Sequence, residues 1–179
     1  MTQPTDDTFA LSFPPVATAD ARLLILGSMP GIASLQQQQY YAHPRNAFWQ
    51  IMSVLYGLDP QWDYPLRCQH LVTNQVAVWD VLKACRRSGS LDQHIEKDSI
   101  VINPFTDFLQ QHPQISLIVF NGSTAENLFK RYVMPTLTPN QRNIAKQRLP
   151  STSPAHAALS LQQKTSLWQE AIATYFNRV

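Results

Sequence analysis

The side chains best suited to chemistry stand together in Tyr40-Tyr41-Ala42-His43-Pro44-Arg45-Asn46-Ala47-Phe48-Trp49. The Asn46 carboxamide both donates and accepts, so it can orient a water or a leaving group. Aromatic rings beside Arg and Asn suit a base turned out of its stack: ring lies on ring, and amides read an edge. Two uses stay open for Phe48 and Tyr41, stacking on such a base or packing in a core. Trp49 reads as core, His43 as a structural or a contacting histidine, and Asn46 also suits a helix N-cap.

Two other loops carry polar groups at strand ends. Leu23-Leu24-Ile25-Leu26 is a fully apolar run that breaks into Gly27-Ser28-Met29-Pro30-Gly31. Glycine lets backbone approach a ligand or adopt positive φ, and Pro30 fixes a dihedral. Ser151-Thr152-Ser153-Pro154-Ala155-His156 follows a short fourth strand. Its hydroxyls and backbone N–H groups suit phosphate. Asp80 stands near the end of the apolar run Gln75–Leu82; it can meet a donor on a ligand edge, or cap or salt-bridge, since a buried Asp must be satisfied.

The elements that must position these loops alternate in type. Strands are expected at 22–27, 75–82, 115–120 and just before Arg148. Helices are expected around Ser34–Gln39, over 46–57 with Gly57 as the stop, and over Phe105–Gln111, Ala125–Tyr132 and Leu161–Phe176. Arg86–Asp92 reads as a polar turn. Such alternation implies a parallel sheet with helices on both faces. In that architecture ligands bind at the carboxyl ends of the strands. At 179 residues, one domain over 1–179 is expected, with 1–20 as an N-terminal arm.

Composition bounds the class. Apolar content is 44% and charged content 15%, as in a folded chain. The net charge of +2 neither requires nor excludes nucleic acid. Cys68 and Cys85 form no CxxC pair, so neither a thiolate zinc site nor a four-cysteine iron–sulfur cluster is expected. No run approaches the roughly 20 residues of a membrane span, and the start has no signal-peptide pattern. The expectation is a cytoplasmic monomer without cofactor or metal. No Ser-His-Asp order, H-E-x-x-H, P-loop or G-x-G-x-x-G is present.

The pairing GSMPG … YYAHPRNAFW resembles the uracil-DNA glycosylase superfamily, most of all its hypoxanthine-DNA (deoxyinosine) glycosylase branch. The resemblance covers roughly residues 12–176. It implies a three-layer α/β/α fold with a central four-stranded parallel sheet, and a monofunctional glycosylase acting on DNA that contains a deaminated base. In several branches the third position of the first loop is an Asp or Asn that handles water. Here it is Met29, and the resemblance transfers catalysis to Asn46. It implies base contacts from Gly27, Ser28, Met29, Pro30, Gly31, Tyr41, His43, Phe48 and Asp80. It implies DNA contacts from Arg45, Arg148, Ser151, Thr152, Ser153, Pro154 and His156, with His156 standing in for a histidine that other branches carry at position 151. Lys83, Arg86, Arg87, Lys130 and Lys146 are further candidates for a basic face. Three other readings compete: a uracil or mismatch glycosylase, a non-catalytic DNA-binding protein of the same fold, and a hydrolase of free nucleosides.

Overall fold

The computed structural model describes residues 9–177. The first eight residues of the expected arm lie outside the described residues. In chain order the strands are β1 (Ala10–Leu11), β2 (Leu23–Gly27), β3 (Val76–Asp80), β4 (Leu82–Cys85), β5 (Val101–Ile102), β6 (Leu117–Asn121) and β7 (Ala145–Leu149). The α-helices are α1 (Ile32–Gln37), α2 (Phe48–Tyr56), α3 (Tyr64–Thr73), α4 (Phe105–Gln111), α5 (Ser123–Leu128), α6 (Pro139–Arg142) and α7 (Leu161–Phe176).

Four strands form a parallel sheet in the order β3-β2-β6-β7. Every residue of β2 and β3 is buried, as are the first four of β6. A strand buried on both pleat faces needs cover on both sides, and the apolar LLIL, VAVW and LIVF runs are its consequence. β7 is polar and half-exposed, as an edge strand should be. The other edge, β3, is shielded by the arm, because Val16 bridges Val78 in antiparallel fashion with two 2.9 Å hydrogen bonds. The chain runs from β2 to its neighbour β3, then crosses back to β6 on the far side of β2. The carboxyl ends of β2 and β6 are therefore the switch point at which a crevice opens.

The expected strand 75–82 is in fact two. β3 stops at Asp80, the chain turns at Val81, and β4 joins a separate sheet of order β1-β4-β5. The Asn103 amide fixes the turn by donating to the Asp80 and Leu82 carbonyls at 2.8 and 3.2 Å. Helix ends follow local chemistry. Gly57 closes α2 at φ 72°, a left-handed position that costs glycine least. Ser160 and Gln163 form a capping box on α7. The expected helix 125–132 starts at Ser123 and widens into a π turn over Phe129–Val133. From α7, Trp168 Nε1 donates to the Pro150 carbonyl (2.9 Å) and Lys164 Nζ to the Ser153 carbonyl (3.3 Å), so this helix anchors the loop after β7. No described helix is long and apolar enough to cross a membrane.

Candidate active site

A cleft of about 300 Å³ opens at the switch point, at the small end of the roughly 300–1,000 Å³ of small-molecule sites. Gly27–Gly31 forms one wall and Ser151–Ala155 another, with Tyr41, His43, Asn46, Asp80 and Asn121 among the other lining residues. The second loop is tied to the start of α2: the Ala47 N–H donates to the Thr152 carbonyl at 2.9 Å. Thr152 is buried and bonded twice to Asn121, whose Oδ1 accepts from Thr152 N (2.8 Å) and whose Nδ2 donates to Thr152 Oγ1 (2.9 Å). A larger groove of about 610 Å³ lies between β7 and α7, but none of the loop residues that line the cleft borders it.

Glycine is needed at the cleft floor for approach, not for unusual dihedrals. Neither Gly27 nor Gly31 has positive φ, contrary to one use the sequence suggested. A Cβ on Gly27 would instead overlap Asp80 Oδ1 and lie 3.2 Å from the Tyr41 hydroxyl. At Gly122, where φ is 97°, a Cβ would also press on Ser151 Cβ at 3.0 Å. Tyr41 is the strained residue of the site, a non-glycine at φ 55°. Its ring is held by Phe48, stacked at 3.9 Å between centroids and 19° between planes.

That stacking settles the two aromatic candidates differently. Phe48 is fully buried and does not line the cleft, so it supports Tyr41 and offers no face to a base. Tyr41 lines the cleft with one face already covered. Trp49 is core; its Nε1 donates to the Tyr40 carbonyl and Arg67 lies 4.4 Å over its ring.

Asn46 stands one residue before the N-cap Ala47, and its Oδ1 accepts from Phe48 N, the first N–H of α2, at 3.0 Å. It also lines the cleft, and no partner for its Nδ2 occurs among the described residues. The backbone contact and a place in the cleft lining therefore coexist. His43 Nδ1 accepts from Arg45 N at 3.1 Å, which leaves the ring proton on Nε2.

Asp80 neither caps nor salt-bridges. It is buried at 3% exposure, and its Oδ2 and the Tyr41 hydroxyl are both buried with no hydrogen-bond partner among the described residues. Burial first, then the nearby Asp92 charge, pushes the Asp80 carboxyl up to about 8, against the pull of Arg87. At neutral pH it is a neutral acid that can donate as well as accept. Burial, with the Asp80 charge adding to it, also raises the Tyr41 phenol.

Several residues expected to contact DNA stand outside the cleft lining. Arg148 pairs with Glu126 at 3.3 Å and lines the β7–α7 groove, outside the cleft lining. His156 is half-buried and outside the cleft lining. Arg45 is exposed beyond it. Among the other basic candidates, Arg87 is no phosphate contact: its side chain is 1% exposed and donates to the carbonyls of Gly89 and Pro30. Arg86 pairs with Glu96, Lys130 with Glu126, and Lys146 caps the carbonyls of Arg142 and Ile144.

Ser90, Leu91, Asp92 and Asn121 line the cleft and were not singled out by sequence. Asn121 had a signal, a polar residue closing the apolar run LIVF at a central strand's carboxyl end. Asp92 had none, since it reaches the site by bonding Ser28, 64 residues earlier.

A buried parallel sheet, a cleft at its switch point, and carboxamides and neutral acid inside it define a ligand site of the base-handling kind. The chain belongs to the uracil DNA glycosylase superfamily, whose sequence profile matches residues 14–174. It is similar to two proteins named hypoxanthine DNA glycosylase. The one from Methanosarcina barkeri (strain Fusaro / DSM 804) is 40% identical over 111 residues, 62% of this chain and 69% of the relative. The one from Methanosarcina acetivorans is 33% identical over 145 residues, 76% of this chain and 90% of the relative. The solution NMR structure of a candidate uracil DNA glycosylase from Methanosarcina acetivorans superposes with a TM-score of 0.73 at 30% identity, covering 91% of this chain and 98% of that one.

Proposed function

We propose that this protein is a monofunctional DNA glycosylase that releases a deaminated base, hypoxanthine first, from DNA. The observation that carries the reading is the pair of buried, unpartnered polar atoms at the cleft floor, Tyr41 hydroxyl and Asp80 Oδ2. Buried polar groups are almost always paired, so such a pair marks a place a ligand completes. A neutral Asp80 offers an acceptor and a donor side by side, the complement of the N1–H and O6 of hypoxanthine.

The remaining roles follow from position. The target nucleotide turns out of the duplex into the cleft. Ser28–Gly31 and His43 border the base, and the Asn46 amide nitrogen orients water or the departing base. Ser151–Pro154 borders the sugar-phosphate, stiffened by Pro154 and held from below by Lys164 and Trp168. Arg45 meets phosphate on the rim. Positioning and fixed dipoles supply the acceleration. Among the described residues the cleft lining includes no lysine, which supports base release without Schiff-base strand cleavage. The protein acts as a monomer without cofactor, in the cytoplasm, where free thiols such as Cys68 and Cys85 persist.

The test is base release from oligonucleotides carrying hypoxanthine, uracil, xanthine or a G·T mismatch. Hypoxanthine should be released fastest, without strand scission before alkali. Faster release of uracil would move the enzyme to the uracil branch. Duplex binding with no release from any substrate would make it a DNA-binding protein, and release from free inosine alone a nucleoside hydrolase.

A further inference from the structure

The first loop lacks a carboxylate at Met29, yet one stands beside it. Ser28 Oγ donates to Asp92 Oδ1 at 2.8 Å. Asp92 opens a short 3₁₀ turn over Asp92–His94, borders the cleft, and keeps 34% of its side chain exposed there. It is fixed from behind by Arg87, whose NH1 lies 3.7 Å from Oδ1. Arg87 is itself locked by the Gly89 and Pro30 carbonyls, so the loop that lacks the carboxylate and the loop that brings it share one guanidinium. The charged and titratable groups facing Asp92 are Arg87 just after β4, Cys85 at the end of β4 and Asp80 at the end of β3; Ser28 and Thr124 offer hydroxyls.

Among the described cleft residues, Asp92 is the carboxylate that already accepts a hydrogen bond from a hydroxyl of the first loop. Asn46 is an amide. Asp80 keeps its own proton to about 8. His43 has its Nδ1 lone pair occupied by Arg45 N. We infer that Asp92, through Ser28, is the general base of the reaction, delivered from a distant loop in place of the residue missing at Met29.

This assignment rests on the glycosylase reading above and adds a catalytic residue to it. The C1′–N9 bond breaks with its electron pair leaving on the purine nitrogen. A water oxygen bonds C1′ and gives one proton to Ser28 Oγ, which passes its own to Asp92. The purine then takes a proton from solvent, and Asp92 returns one to it. The observed hydrogen bond already has the direction this relay needs, with Ser28 as donor and its lone pairs left for water. Burial raises the Asp92 carboxyl above the ordinary range while Ser28, Arg87 and Thr124 hold it back. A base tuned upward in this way accepts a proton more readily near neutral pH.

The experiment measures single-turnover release of hypoxanthine from an inosine duplex across acid to neutral pH, with duplex affinity and melting temperature alongside. Asp92→Asn keeps an acceptor for Ser28, so the fold should persist. Its rate should fall about 10²-fold or more while duplex affinity holds. The low-pH decline of the wild-type rate should vanish in the variant. Ser28→Ala, which cuts the relay and leaves Asp92 on Arg87, should lose about tenfold or more on the same grounds, and it decides the matter if Asp92→Asn fails to fold. A folded Asp92→Asn protein with wild-type rate, an unchanged acid limb, or a loss of affinity equal to its loss of rate overturns the assignment and leaves the glycosylase reading standing. A wild-type protein that releases no base overturns both.

Discussion

Replacing Asp80 with Asn should flatten a pH dependence of stability that the wild-type protein carries in one side chain. In the unfolded chain the Asp80 carboxyl titrates near about 3.9. In the folded protein burial holds it up to about 8. Between those values the unfolded state has lost the proton and the native state keeps it. Stability therefore falls as pH rises through the window, by about 1.4 kcal/mol per unit, and the whole window amounts to about 6 kcal/mol. Asn has the same shape, can donate where the neutral acid donates, and does not titrate. Asp80→Asn should match the wild type near about pH 4 and exceed it by about 5 kcal/mol at about pH 9. Urea unfolding of both proteins across that range measures the difference directly. Base release should follow the same group: wild-type activity declines as pH passes about 8, and the variant's does not. Parallel stability curves for the two proteins would mean that Asp80 is ionised in the native state, and the base-reading role argued from its neutral form would be refuted.

Asn46→Ala should cut single-turnover base release by about 10²-fold or more and also cost roughly 1 kcal/mol of stability, since its Oδ1 accepts from Phe48 N, the first N–H of α2. Asn46→Ser restores the acceptor but not the amide, so it should recover melting temperature without recovering rate; full activity in that variant would remove Asn46 from the chemistry. Gly27→Ala drives a methyl into Asp80 Oδ1 and toward Tyr41, so it should displace both polar groups and abolish hypoxanthine release in a protein that still binds duplex through its phosphates. Wild-type turnover should survive EDTA unchanged; loss restored by a divalent ion would contradict a mechanism built only from side chains.

The local features of this chain were written in its sequence. The runs LLIL and LIVF could only be buried strands, Gly57 had to end α2, and α7 spans Leu161–Phe176 as its spacing required. The place of the first loop, Asn46 and the Ser151–Pro154 loop in the cleft lining was legible because each sits directly after a strand or before a helix, where sequence neighbours remain spatial neighbours. Tertiary structure decided what sequence spacing does not encode. Phe48 turned out to be the floor under Tyr41 because the strained turn at Tyr41 lays one ring on the other. Arg148 lies outside the cleft lining, on the β7–α7 groove beside Glu126. Asp80 became a neutral acid only when the fold buried it and brought Asp92 near, against the pull of Arg87, and Asp92 entered the cleft from 64 residues beyond Ser28. Burial and through-space charge depend on which distant segments meet, and no local pattern of residue types carries that information.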